Sequence, residues 1–156
     1  MKKLEMILIA GAAIGALLAL LNVPYHSVIV SFLFMALSFL YFYLGFALFN
    51  GIHLRKIFTA ESYKGLGSWR IGVAIGTGIA ISQITIGIMS TILNYPMAKI
   101  LLQVGMAFTA VMLLLASIRN AKEKNQFYRN IILRCAVFII LGVVALLLQG
   151  HLFQTT

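Results

Sequence analysis

Four polar side chains stand inside otherwise apolar runs: Ser38, Tyr41, Gln83 and Gln103. Two amides, a phenol and a hydroxyl can donate and accept hydrogen bonds, but they supply neither a nucleophile–base pair nor a metal-ligand set. Two readings stay open. Either these groups bond helices to one another, or they line a small polar cavity for a ligand or ion; in both cases a buried amide or phenol needs a partner and points inward. Cys135 is the single cysteine, so there is no intramolecular disulfide and no paired thiol chemistry. His26, His53 and His151 are too far apart along the topology to share a metal. There is no aspartate, and Glu5, Glu61 and Glu123 are expected at or beyond the boundary of the apolar segments, which excludes the embedded carboxylates of proton-coupled transporters. Lys99 and Arg134, each close to the end of an apolar run, are expected to carry their charges outward on long stems. The chain reads as non-enzymatic, with no cofactor.

The elements that hold these residues follow from composition. Hydrophobic residues make up 62% of the 156 and charged residues 10%, with a mean hydropathy of +1.05, too much apolar surface for a water-soluble core of this size. Five apolar runs approach the roughly 20 residues that cross a bilayer. They lie near Met6–Asn22, Ser27–Asn50, Ile71–Tyr95, Met97–Ile118 and Asn130–Gln149. The fold class expected is an all-α integral membrane protein of five transmembrane helices, a single domain over residues 1–156. The first run follows two lysines, but it leads through a tight turn into the next span and reads as retained.

The net charge of +9 is asymmetric. With alternating spans, Lys2, Lys3, Arg55, Lys56, Lys64, Arg70, Arg119, Lys122, Lys124, Arg129 and Arg134 fall on one side and Lys99 alone on the other. The positive-inside rule then places the N-terminus in the cytoplasm and the C-terminus outside, in a multi-pass protein of the inner (plasma) membrane. Basic loops of this kind meet anionic headgroups rather than nucleic acid. Arg55, Lys56, Trp69, Arg70 and Arg119 are the expected headgroup contacts, and the connection 51–70 is either an interfacial amphipathic helix or a plain loop.

One stretch is written twice. IGALLALLNVP, Ile14 to Pro24, returns 72 residues later as IGIMSTILNYP, Ile86 to Pro96. Proline lacks an amide hydrogen and restricts the residue before it, so Asn22 with Pro24, and Asn94 with Pro96, mark outer turns. Residues 6–50 and 71–118 are thus two helical hairpins in parallel orientation, and 130–149 is an extra span. Small residues recur on these helices. Gly11 and Gly15 in the first, and Gly72, Gly76, Ala80 and Gly87 in the third, define a helix-packing face; Gln83 shares the third-span stripe. Ser31, Phe34, Ser38, Tyr41 and Gly45 of the second span are expected to meet it.

The unit Gly15, Leu21-Asn22-Val23-Pro24 and Leu40-Tyr41-Phe42, with its second copy, resembles the transmembrane hairpin of the gliding-motility and type IX secretion motor subunit. The resemblance covers residues 11–45 and 83–117 and implies an inner-membrane protein that packs with partners. The leading expectation is a helix-packing subunit or small assembly factor, in contact with lipid and with other membrane subunits or a second copy of itself. The alternative is a small channel or carrier with a cavity around Ser38, Tyr41, Gln83 and Gln103.

Overall fold

The computed structural model describes residues 1–53, 55, 57, 59, 61 and 65–152, the side chains of Lys2 and residues 149–152 excepted. Lys56, Phe58, Tyr63 and Lys64 lie outside the described residues. The described residues form five helices and no strand: α1 Lys2–Leu20, α2 His26–Phe49, α3 Ser68–Ile92, α4 Ala98–Glu123 and α5 Gln126–Leu152. All five are long and apolar enough to cross a membrane. Helices suit such sequences because they satisfy every backbone polar group within the segment, which hydrocarbon demands.

The boundaries differ from the apolar runs in one informative way. α1 begins at Lys2 and α4 continues to Glu123, so charged residues near the ends of apolar segments are carried inside helices. A charge ends an apolar run, but it does not end a helix.

Both Asn-X-Pro turns have the same backbone. Asn22 has φ 51° and Asn94 φ 53°, while Tyr25 has φ 65° and Met97 φ 66°. After α1 the Val23 amide donates to the Leu18 carbonyl and the Asn22 amide to Ala19; after α3, Tyr95 donates to Ser90 and Asn94 to Thr91. This is the left-handed helix stop with its paired 6→1 and 5→2 bonds, and asparagine is the non-glycine residue best suited to the left-handed position. Asparagine therefore acts here through its backbone, and at the first turn the His26 Nδ1 adds a side-chain contact to the Val23 carbonyl oxygen at 2.8 Å. Asn22→Val and Asn94→Val are each expected to lower stability by about 1–2 kcal/mol, with glycine at either site nearly neutral. Thermal unfolding of the purified protein in detergent measures the difference.

α3 is the hub, packing on α2, α4 and α5. At the α2–α3 crossing a Cβ on Gly45 would stand 2.9 Å from Gly78 Cα, and one on Gly78 would stand 2.5 Å from the Tyr41 carbonyl oxygen. At the α3–α4 crossing a Cβ on Gly87 would meet Leu102 Cα at 2.6 Å, and one on Gly105 would meet Ile84 Cα at 2.6 Å. These are backbone-to-backbone approaches that only glycine permits. Polar groups between the helices are satisfied locally: Thr77, Thr85, Thr91 and Thr109 donate to carbonyls one turn back, and Ser38 bonds Ser82 across α2 and α3 at 2.7 Å. Among the described residues no buried side-chain nitrogen or oxygen lacks a partner.

The small residues named from sequence do not share one contact face. Gly11 and Gly15 lie against Leu33 and Val30 of α2, Gly76 against Met112, and Ala80 is buried with its carbonyl accepting from Thr109. Gly87 belongs to the tight crossing, but Gly72 is exposed with open space beside it. Successive residues of a straight helix advance about 100°, so a stripe spanning about four turns drifts from one neighbour to another.

Candidate functional site

α1 is the outlying helix. It packs along α2, and its described hydrogen bonds to α5 come from one residue pair. Arg134 donates from Nε to Glu5 Oε1 and from Nη2 to Oε2, both at 2.8 Å, and the Tyr41 hydroxyl donates to Glu5 Oε1 at 2.8 Å. The two parallel bonds of a guanidinium fork are the strongest geometry available to a carboxylate. Apolar walls enclose the group. The Arg134 guanidinium lies 5.4 Å from the Phe49 ring centroid, and the Phe138 ring meets Tyr41 edge-on at 5.4 Å.

The position corrects one expectation, the outward course of Arg134. Glu5 is 5% exposed and stands level with Tyr41 and Arg134, each eight residues, or about 12 Å, inside its own apolar helix. Glu5 is therefore buried between helices, and Arg134 turns inward to it instead of extending to the helix end. A buried charge is stable only when paired, and the two charges in this seam pair with each other. The sequence carried a signal for this: Arg134 interrupts the most apolar of the five segments, and a lone cation there calls for an anion from another helix.

Two cavities flank the seam between α1 and α5. One, of about 360 Å³, lies at the ion pair and is lined by Glu5, Arg134, Tyr41, Asn130 and neighbouring apolar groups of α1 and α5. The other, of about 480 Å³, extends toward the Asn-X-Pro turns along Ala12, Ala13, Ala16 and Ala19 of α1, with Asn22 and His26 at its far end. Ile9 and Phe138 line both.

The four polar residues singled out from sequence are dispersed. Ser38 bonds α3, Tyr41 bonds Glu5, Gln83 is half-buried on α3, and Gln103 is exposed on α4. At the opposite end of the bundle from the Asn-X-Pro turns, Arg70 Nε donates to Asn50 Oδ1 at 2.9 Å and stacks on Phe127 at 4.4 Å. Arg119 covers the Trp69 ring at 4.8 Å and pairs with Glu123 at 3.1 Å, while Arg55 is exposed. No group of three or more histidine, cysteine or acidic side chains that could hold a metal occurs among the described residues.

Fold and site together define a class: a small all-helical protein with five segments able to cross a membrane and a charged pair enclosed between the first and the last. The chain matches no protein-family model, no curated protein and no solved structure.

Proposed function

We propose that the chain is a non-enzymatic multi-pass protein of the inner (plasma) membrane that serves as a helix-packing subunit or small assembly factor of a membrane complex. Gln83 carries this reading. Its amide lies about 13 Å from the turn end of α3, is half-exposed, and makes no side-chain hydrogen bond among the described residues. An amide facing hydrocarbon is costly, and a neighbouring transmembrane helix satisfies it. Exposed Gln103 on α4 offers a second such group. The carrier alternative draws no support from the placement of Ser38, Tyr41, Gln83 and Gln103, which open into no common cavity.

The asymmetric charge supports an N-in, C-out orientation, and the matching turns at Asn22 and Asn94 support two parallel hairpin repeats with α5 added. In this orientation Arg55, Lys56, Trp69, Arg70 and Arg119 meet anionic headgroups, and nucleic acid has no part. Single-cysteine labelling on a Cys135→Ser background is expected to show Lys99→Cys reactive from outside and Lys122→Cys from inside; the reverse pattern refutes the orientation.

Purification in mild detergent tests the subunit reading itself. Wild-type protein is expected to co-purify with a transmembrane partner or a second copy, and Gln83→Leu to weaken that association roughly 3- to 20-fold, the range of one interhelical hydrogen bond. A strictly monomeric wild-type protein overturns the reading.

A further inference from the structure

α3 keeps one strip clear of its own chain. Between Gly72 and Thr91 the residues that are not buried are Gly72, Ile75, Gly76, Ile79, Gln83 and Ile86, and at 100° per residue they fall within about 100° of arc. The neighbouring helices show where that strip points. Gly78 faces α2 and Gly87 faces α4, nine residues or about 180° apart, so α2, α3 and α4 lie in one layer. α5 covers one side of the layer, where a Cβ on Gly142 would meet Ile84 Cδ1 at 3.1 Å. Ile79, about 100° from Gly78 and about 140° from Ile84, looks out from the other side. We infer that this strip is the contact face of a homodimer, α3 against α3 of a second copy, with the two Gln83 amides bonded to each other. The inference rests on the subunit reading above and names its partner.

The strip is shaped for a close helix. Gly72 and Gly76 have the four-residue spacing that lets membrane helices approach backbone to backbone. Among the glycines of α1 to α4, Gly72 alone has open space where a Cβ would stand; each of the others would meet atoms of its own chain. Gln83 follows on the same face, seven residues and about 10 Å beyond Gly76. It lies about 13 Å from one end of α3 and about 22 Å from the other, and its amide makes no side-chain hydrogen bond among the described residues.

Depth selects the second copy. Copies inserted in the same orientation are related by a twofold axis along the membrane normal, which leaves every residue at its own depth, so Gln83 faces Gln83 without any adjustment of register. A primary amide both donates and accepts, and two facing amides satisfy each other, whereas a different protein must place a polar group at that one depth. No charge lies on the strip. At its basic end Arg70 is drawn back onto Asn50 Oδ1 and the Phe127 ring of its own chain.

Energy transfer between donor- and acceptor-labelled copies in phosphatidylcholine vesicles tests the assignment, with the dyes on Lys122→Cys in a Cys135→Ser background. Wild-type α3 is expected to give a one-to-one dimer, and Gln83→Leu to weaken it at least about threefold. Gly72→Leu, whose side chain enters open space within one copy, is expected to weaken it at least about tenfold, or about 1.4 kcal/mol, while the diluted monomers unfold within a few degrees of each other. Oxidation is expected to link Ile79→Cys into a disulfide dimer and to leave Ile140→Cys, exposed on α5, unlinked. Equal linking at the two positions, or undiminished transfer in folded Gly72→Leu, overturns the assigned face. Wild-type protein that shows no transfer but co-purifies with a different membrane protein overturns the homodimer and leaves the subunit reading standing; protein that shows neither overturns both.

Discussion

Arg134→Ala is expected to lower stability by about 3–5 kcal/mol, because it removes both guanidinium bonds to the buried Glu5 carboxylate. The effect falls first on α1, whose packing otherwise rests on α2, so hydrogen exchange in Lys2–Leu20 should rise while α3 stays protected. Removing both charges behaves differently. Glu5→Gln combined with Arg134→Met eliminates the stranded ion and recovers most of the loss, since apolar replacements of a buried pair are often neutral. Equilibrium unfolding in mixed micelles measures the three proteins. A loss below about 1 kcal/mol for Arg134→Ala, where exposed ion pairs fall, shows that the pair is hydrated and not enclosed.

The second large effect belongs to the glycines at the crossings. Gly105→Ala places a methyl 2.6 Å from Ile84 Cα and 2.7 Å from Ile84 N, and Gly87→Ala places one 2.6 Å from Leu102 Cα. The neighbours are backbone atoms that no rotamer change can clear, so α3 and α4 must separate. Each substitution is expected to cost about 3 kcal/mol, the upper part of the overpacking range. Gly72→Ala is the control. Its methyl enters open space, and the higher helix propensity of alanine gives no loss or a gain of up to about 1 kcal/mol. Equal losses at Gly72 and Gly87 would mean that helix separation is not what the measurement detects.

The contrast between those two glycines shows what the sequence could convey. Asn22-Val23-Pro24 and Asn94-Tyr95-Pro96 were legible as stops because turn chemistry is local: proline and a left-handed residue act within a few positions. The five spans were legible for the same reason, since apolar length needs no knowledge of neighbours. Packing registers are different. Gly45 was placed on the right stripe of α2, but its contact with Gly78, and that of Gly105 with Ile84, depends on how far one helix slides along another. The same applies to the polar residues. Ser38 and Tyr41 lie one turn apart on α2 yet bond to different helices, Ser82 on α3 and Glu5 on α1. Gln103 is exposed for a geometric reason as well: it lies two residues, about 200°, from Gly105, which faces α3. The partnership of Glu5 with Arg134 was not legible because it joins helices 129 positions apart, whose relative register the sequence does not give.

The Glu5–Arg134 pair joins residues 129 positions apart, the first helix to the last. A ribosome adding about 5–20 residues per second needs roughly 6–26 seconds to cover that interval. Throughout it the first segment is made but Arg134, the guanidinium that forks onto Glu5 in the folded chain, is not. The docking of the N-terminal segment against α5 is therefore timed by the arrival of the C-terminal one.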